Sequence, residues 1–167
     1  HQLQITQAWQ THGHFDHIFG CQWAYETFGI CPMLHPADEH RYLHAGEELQ
    51  LFLHQRVEIP VPSLAAYLVD GQKLSFGNHD FEVIATPGHT PGGVCFYCAT
   101  EKVLITGDSL FEGSIGRCDL PEGDMETLIQ SLQTRVMTLP DDVRIYPGHG
   151  RSSTIGRERT SNPYLIP

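Results

Sequence analysis

The chain has few basic residues and no long apolar run. Lysine and arginine total 10 against 20 acidic residues, which gives a formal net charge of −10. An acidic chain without a Lys/Arg-rich run is repelled by nucleic acid and by anionic membrane surfaces, so we expect neither as a partner. The sequence also lacks a stretch of about 18 apolar residues, which argues against a membrane-spanning helix. We therefore expect a small-molecule substrate and a monomer or homodimer.

The chain has five cysteines, and no secretion signal is visible in the sequence. The cysteines are Cys21, Cys31, Cys95, Cys98 and Cys118. An odd number of them predicts free thiols in a reducing compartment, and we expect a cytoplasmic protein. Cys95 and Cys98 have the spacing of a metal or redox pair, but residues three apart on a predicted strand point to opposite faces. We therefore expect thiols of the core or partly exposed surface there, and we assign Cys118 no chemical role.

Histidine, in contrast, is abundant and clustered. Of the 11 histidines, His12, His14 and His17 fall within a run of six residues that also holds Asp16. Three further stretches combine a histidine or aspartate with glycine: Thr86-Pro87-Gly88-His89-Thr90, Thr106-Gly107-Asp108-Ser109 and Pro147-Gly148-His149-Gly150. Imidazole nitrogen and carboxylate oxygen are the ligands that divalent zinc, iron and manganese prefer. Loops of this kind indicate a metal-dependent hydrolase.

The first cluster is the most informative of these stretches. His12 and His14 stand two apart in an extended loop, so both can face one metal. Asp16 and His17 follow at the turn into a helix, where they can face a second metal nearby. The alternative is a histidine-rich surface loop or an accidental tag-like run. Ordinary surface or hydrogen-bonded roles are expected for the histidines without partners at metal spacing, which are His1, His35, His40, His44, His54 and His79.

The rest of the chain alternates short strands and helices in an α/β (α+β) manner. Predicted strands cover residues 3–9, 30–35, 73–76, 81–85, 94–98, 103–106 and 143–146. Predicted helices cover residues 15–28, a segment that opens at residues 36–39, and residues 125–139. Gly29 is expected to end the first helix and Asp124 to cap the last. Residues 45–66 are expected to form a partly helical connection. Each candidate ligand thus falls where a strand ends in a turn.

These motifs resemble the metallo-β-lactamase-fold hydrolase superfamily. The series Thr-His-x-His-x-Asp-His, Pro-Gly-His-Thr, Thr-Gly-Asp and Pro-Gly-His carries the resemblance over essentially the whole chain. The string over residues 106–117, together with Asp119-Leu120-Pro121 and the closing Asn-Pro-Tyr-Leu, is similar to glyoxalase II-like (hydroxyacylglutathione hydrolase-like) members. The resemblance implies a four-layer αββα sandwich.

Two metal sites are implied by the same resemblance. The first metal would be held by His12, His14 and His89, and the second by Asp16, His17 and His149, with Asp108 bridging both. Zinc is the expected metal, and the same ligands accept iron or manganese.

The implied activity is hydrolysis of a thioester such as S-2-hydroxyacylglutathione. A metal-bridging hydroxide would attack the carbonyl, with Asp16 and Asp108 as catalytic residues. One alternative is a persulfide dioxygenase with a single iron at the first site, and another is a nuclease or RNA-processing relative, which the acidic charge disfavours. Metallo-β-lactamases of the main class lack a histidine at the position of His17 and carry cysteine at that of Asp108. We therefore do not expect a β-lactam substrate.

Two arginines are candidate substrate contacts. Arg117 matches the basic residue that contacts the glutathione glycine carboxylate in glyoxalase II-like proteins. Two tyrosines expected from the resemblance are replaced in this chain. Asp119 stands two positions after Arg117, and Arg151 stands two positions after the last histidine of the motifs. Structural ion pairs are the alternative role for both arginines.

The resemblance also bears on domain organisation. Residues 1–167 are expected to form a single metallo-β-lactamase-fold domain without the helical C-terminal glutathione-binding domain. The first histidine motif begins at residue 12, whereas the resembled fold places about forty to fifty residues of earlier strands before it. We therefore expect this sequence to be an N-terminally truncated view of a protein of about 200–220 residues, still of single-domain size.

Overall fold

The computed structural model describes residues 4–55 and 57–166. The chain forms two compact units, His1–Leu68 and Val69–Pro167. His1 and the first residue of the predicted strand 3–9 lie outside the described residues. Within the described ranges, no helix is long and apolar enough to cross a membrane.

The first unit combines short helices with a small parallel sheet. Its elements are β1 (Ala8–Trp9), α1 (Phe15–Ile18), α2 (Cys21–Phe28), β2 (Pro32–Leu34), α3 (Glu39–Leu43), α4 (Ala45–Leu53) and β3 (Ala66–Tyr67). The strands pair in the order β1-β2-β3, and both pairings are parallel. A short 3₁₀ turn, Pro36–Asp38, leads into α3. The partly helical connection predicted for residues 45–66 contains α4.

Two sequence predictions for this unit need correction. The strand predicted over residues 3–9 is formed in the described residues only at Ala8–Trp9. The helix predicted over residues 15–28 is interrupted at Phe19 and Gly20, because glycine is a poor helix former and α2 starts afresh after it. Its predicted end is confirmed, since Gly29 adopts φ 71° and its N–H donates to the carbonyl of Tyr25.

A small apolar core holds the first unit together. A buried cluster brings the four helices α1, α2, α3 and α4 into contact. Its members are Ile18, Cys21, Leu34, Tyr42 and Ala45. The Tyr42 hydroxyl donates to the carbonyl of Pro62 at 2.7 Å, so its polar end is satisfied inside the core. Burial raises the pKa of the Cys21 thiol to about 11, which keeps it neutral.

The second unit is built on a six-stranded sheet. Its elements are β4 (Lys73–Phe76), β5 (His79–Ala85), β6 (Val94–Cys98), β7 (Val103–Gly107), β8 (Leu110–Phe111), β9 (Ser114–Ile115), α5 (Met125–Ser131), β10 (Arg144–Pro147), β11 (Ser153–Thr154) and α6 (Ile155–Ser161). The sheet has the order β11-β10-β7-β6-β5-β4, and β8 pairs only with β9 among the described strands. All neighbours in the large sheet are antiparallel except β7 and β10. Both predicted hairpins, β4–β5 and β6–β7, are present.

The core of this unit lies between the sheet and α5. Leu128, Leu132 and Val136 pack with Leu104 and Ile145 in one buried cluster. The predicted N-cap is confirmed, because the Asp124 carboxylate accepts from the Thr127 N–H at 2.9 Å. The helix predicted over residues 125–139 is α-helical only to Ser131 and continues as a π-helical stretch, Leu132–Val136. The sequence analysis did not predict the β8–β9 hairpin or α6. The two strands of the hairpin are too short, and α6 is too polar, to show a periodic apolar pattern.

Cys95 and Cys98 have the predicted structural character. Both thiols are free and buried on β6. Burial raises the pKa of the Cys95 thiol to about 11, so this sulfur is neutral and unreactive.

Candidate metal centre

The first ligand set lies in the loop between β1 and α1 of the first unit. His12 and His14 are buried, His17 is partly buried and Asp16 is exposed. The imidazole rings of His12 and His14 have centroids 4.9 Å apart, and those of His12 and His17 are 4.1 Å apart. Potential ligand atoms lie within 4.8 Å of one another in the pairs His12–His14, His12–His17 and Asp16–His17. The structure thus brings together the four side chains that the sequence predicted for this loop.

A buried carboxylate fixes the loop. The Gly13 N–H donates to Oδ2 of Asp38 at 2.8 Å, and Asp38 is fully buried. A Cβ at position 13 would lie 3.0 Å from the Asp38 carbonyl oxygen, so the loop approaches the chain at Asp38 more closely than a side chain would easily allow. Asp38 therefore holds the backbone between His12 and His14 in place.

A second buried carboxylate contacts one of the ligands directly. Oε1 of Glu48 lies 3.1 Å from Nε2 of His14 and 2.9 Å from Nη1 of Arg41. Burial alone would raise the pKa of Glu48, but the neighbouring His14 ring and the Arg41 guanidinium outweigh it and lower that pKa. The sequence analysis did not identify Asp38, Arg41 or Glu48 as part of the site. The neighbours of a charged residue in a short helix show whether it can cap that helix, but they do not show which distant residue it contacts.

The second ligand set belongs to the second unit and begins with His89. This residue follows β5 in the loop Thr86–Thr90 and is 4% exposed. Its Nδ1–H donates to the carbonyl of Arg117 at 2.7 Å, which leaves Nε2 as the lone-pair nitrogen. Nε2 of His89 lies 3.8 Å from Oδ2 of Asp108. A backbone carbonyl thus sets the tautomer that a metal ligand at Nε2 requires.

The parallel strands β7 and β10 deliver the other two members of this set. Their carboxyl ends meet at one edge of the sheet, where the Gly148 N–H donates to the carbonyl of Gly107 at 2.8 Å. Asp108 and His149 follow directly, and Nε2 of His149 lies 3.5 Å from Oδ2 of Asp108. Asp108 is only 12% exposed, so its carboxylate faces inward between two imidazoles.

The donor chemistry of both sets, and the spacing of the second, fit divalent metal. Two ligand atoms at about 2.1 Å from a tetrahedral metal lie about 3.4 Å apart. The separations of Asp108 Oδ2 from His149 Nε2, 3.5 Å, and from His89 Nε2, 3.8 Å, are close to that value. Both sets consist of imidazoles and carboxylates, which suit zinc, iron and manganese alike.

The two predicted substrate arginines have different surroundings. The exposed guanidinium of Arg117 forms a double hydrogen bond to Asp119, at 2.7 and 2.9 Å. This hydrogen bond raises the pKa of Arg117 and lowers that of Asp119 to about 2, so both are charged. Arg151 instead lines a cavity of about 430 Å³ with Phe111, Glu112, Ser114, His149 and Gly150. Of the two, Arg151 presents its charge beside a candidate ligand in a cavity.

The histidines expected to have ordinary roles are held by local contacts. Nδ1 of His35 accepts from the Ala37 N–H, and His40 and His44 stack with ring centroids 4.2 Å apart. His79 lies 3.2 Å from Glu101, and His54 ends α4. Across residues 4–55 and 57–166, none of these belongs to a group of side chains placed to hold a metal.

Comparison with known proteins identifies the family. Residues 1–149 match the family model described as the metallo-beta-lactamase superfamily. The chain belongs to this superfamily. A curated relative, hydroxyacylglutathione hydrolase GloC of Haemophilus influenzae, is 38% identical over 174 residues, covering 98% of this chain and 77% of the relative.

Solved structures support the same assignment. The BLEG-1 B3 metallo-beta-lactamase superposes with a TM-score of 0.90 at 35% identity, covering 99% of this chain and 79% of that protein. TTHA1623 in a di-iron-bound form superposes with a TM-score of 0.86 at 37% identity, covering 96% of this chain and 78% of that protein. The predicted mixed α/β class and metallo-β-lactamase fold are confirmed.

Family membership settles the broad class of chemistry. The superfamily model and the curated hydrolase support an enzyme of the metallo-hydrolase class. The fold implies binding of divalent metal. The groups in this chain that suit such an ion are the histidine-rich loop and Asp108 with its neighbouring imidazoles.

Proposed function

We propose that this protein is a binuclear metal-dependent thioester hydrolase. The first metal would be bound by His12, His14 and His89 and the second by Asp16, His17 and His149, with Asp108 shared between them. The observation that carries the proposal is the position of Asp108: one carboxylate oxygen lies 3.5 Å from His149 Nε2 and 3.8 Å from His89 Nε2. An oxygen near two imidazoles assigned to different metals is suited to bridging.

The charges of this set suit hydrolysis of a neutral carbonyl. Two divalent ions bring four positive charges, Asp16 and Asp108 return two, and neutral histidines add none. Divalent ions held by these residues would lower the pKa of bound water to about 7 and would stabilise a developing oxyanion. A thiolate leaving group is a stable anion near neutral pH, so these residues need not supply a strong general acid. That feature favours a thioester over an amide.

S-2-hydroxyacylglutathione is the substrate class that we propose. The curated relative at 38% identity is named a hydroxyacylglutathione hydrolase. The charge of Arg151, in the cavity beside His149, suits a carboxylate of the thiol carrier, which we propose that it binds. Arg117 contributes less, because Asp119 already occupies its guanidinium.

The proposed cellular setting is based on the thiols. The five free cysteines suit a reducing compartment, and we propose the cytoplasm. We propose a monomer or homodimer acting on a small molecule, without nucleic acid or membrane.

The test is a substrate panel run on apoprotein and on metal-restored protein. We expect thiol release from S-lactoylglutathione to disappear on chelation and to return with zinc, iron or manganese. Oxygen consumption with glutathione persulfide, without thiol release from the thioester, would favour the mononuclear-iron dioxygenase. Turnover of nitrocefin with an inert thioester would overturn the proposal, a result made relevant by the structural relative that is named a B3 metallo-beta-lactamase.

A further inference from the structure

Helix α6 holds the turn of the β8–β9 hairpin, which lines the cavity beside His149. Oε2 of Glu158 accepts from the Gly113 N–H at 2.8 Å, and the side-chain amide of Asn162 donates to the carbonyl of Ser114 at 3.0 Å. Glu158 and Asn162 are fully buried and hydrogen-bond to each other at 2.9 Å. Hydrogen bonds that satisfy buried polar groups are costly to break, so the turn keeps its position on α6.

An ion pair at the surface joins the same two elements. Nη1 of Arg157, on α6, lies 2.7 Å from Oε1 of Glu112, which directly precedes Gly113 in the turn. The side chain of Arg157 is 59% exposed and that of Glu112 is 29% exposed. A pair this exposed contributes little to stability. Its main effect is therefore on the charge that Glu112 presents locally.

The cavity has side chains of opposite charge on its wall. Glu112 is the one acidic residue among those that line it, and Arg151 is the one arginine. Arg157 is not a lining residue, so it acts on the cavity through Glu112. Among the described residues, Arg151 has no ion-pair partner. The acidic charge of the wall is thus compensated from behind, whereas the basic charge is left for a ligand.

We propose that Arg157 is a specificity-determining residue, which cancels the charge of Glu112 so that Arg151 makes the cavity selective for an anionic thiol carrier. The inference rests on the proposed function, in which a carboxylate of the carrier binds Arg151. Without Arg157, the carboxylate of Glu112 would repel such a ligand and would compete with it for the guanidinium of Arg151. The buried bonds of Glu158 to the turn keep Glu112 at the cavity in either case.

Binding of a carrier that cannot be hydrolysed tests this without any catalytic step. S-methylglutathione has two carboxylates, and its dimethyl ester has the same shape without them. We expect Arg157→Gln to weaken binding of S-methylglutathione by roughly 3- to 10-fold in titration calorimetry, the size of a largely screened interaction between unit charges a few ångströms apart. Binding of the dimethyl ester should not weaken. The loss should shrink at high salt, because salt screens exposed charges.

A second substitution separates action through Glu112 from direct contact with the ligand. Adding Glu112→Gln to Arg157→Gln removes the uncompensated carboxylate, so the double variant should regain the wild-type affinity for S-methylglutathione. Lys102→Gln is the matched control. It removes a cation of the same exposure, 59%, from another surface ion pair, with Asp142. Lys102 directly precedes β7 whereas Asp108 directly follows it, so this change should leave the affinity unaltered.

Each other outcome has a defined meaning. Wild-type affinity in Arg157→Gln, an equal loss for the dimethyl ester, or a loss that persists in the double variant would overturn the inference. Failure of the wild type to bind S-methylglutathione would overturn both the inference and the proposed carrier site. The expected binding pattern in a metal-restored protein that hydrolyses no thioester would overturn the proposed function alone, and the role of Arg157 in setting the charge of the cavity would stand.

Discussion

Gly88, which directly precedes His89, is a position where a single methyl group should be strongly destabilising. A Cβ there would lie 2.3 Å from the backbone nitrogen of Leu128 and 2.5 Å from its Cα, both in α5. The backbone at Gly88 also has φ 132°, a conformation that residues with a side chain rarely adopt. Gly88→Ala must therefore displace either the ligand loop or the helix.

The magnitude is set by these two costs. Overpacking against backbone that has little freedom to move costs about 1–3 kcal/mol, and the strained φ costs about 1–3 kcal/mol more. We expect Gly88→Ala to lower the free energy of unfolding by roughly 2–6 kcal/mol. Because any relaxation moves His89, metal content should fall as well.

Gly71→Ala separates the two costs. Gly71 has φ 75°, but a Cβ there would meet nothing within 4 Å. It should therefore show the backbone cost alone, about 1–2 kcal/mol. Urea unfolding followed by far-UV circular dichroism is the suitable assay, because both tryptophans, Trp9 and Trp23, belong to the first unit. If Gly88→Ala is no more destabilising than Gly71→Ala, the close approach of the loop to α5 is refuted.

Further predictions concern the proposed bridging carboxylate Asp108, the buried carboxylate Glu158 and the two candidate substrate arginines. Asp108→Ala should reduce the content of both metals, and elemental analysis showing unchanged occupancy would exclude the bridging role. Glu158→Ala removes a fully buried carboxylate that accepts from three donors, and should cost roughly 3–5 kcal/mol in urea unfolding, whereas a loss under about 1 kcal/mol would contradict that network. Arg151→Ala should raise KM for S-lactoylglutathione several-fold with kcat little changed, while Arg117→Ala should have a smaller effect because Asp119 neutralises that side chain. A fall in kcat at constant KM would rule out carboxylate binding by Arg151.

Predictions made from short-range signals fared well. The hairpins β4–β5 and β6–β7, the N-cap Asp124 and the helix end at Gly29 depend on a few neighbouring residues, and the structure contains each of them. The ligand loops were recognisable for the same reason, since each is a compact run of histidine or aspartate with glycine.

Predictions failed where distant residues decide the outcome. Asp38 and Glu48 lie in the first turns of helical segments, and nothing in their sequence neighbours shows that they contact Gly13 and His14. The end of the α-helical part of α5 at Ser131 likewise has no local breaker residue. Packing against the sheet, rather than helix propensity, determines the geometry there.

The resemblance to glyoxalase II-like proteins identified Arg117 as a carboxylate contact, and Asp119 weakens that assignment. Those proteins have a tyrosine at the position of Asp119, and its hydroxyl adds a hydrogen-bond donor. In this chain the negatively charged Asp119 instead pairs with the guanidinium of Arg117. A carrier carboxylate at Arg117 would have to displace or repel Asp119. The positive charge of Arg151 takes the place of the other expected tyrosine, so the anion-binding role has a second candidate on the same unit.

The two ligand sets are held by different means, and this predicts where each is vulnerable. Asp108 and His149 follow paired strands, so the hydrogen bonds of the sheet itself fix their spacing. The loop of His12 and His14 comes after a strand of only two residues, and it is held instead by the buried carboxylates of Asp38 and Glu48. Hydrogen bonds of a sheet are shared among many residues, whereas a single buried carboxylate has no substitute. Substitutions in the segment from Asp38 to Glu48 should therefore impair metal binding by His12 and His14 more than comparable changes within β7 or β10 impair binding by Asp108 and His149.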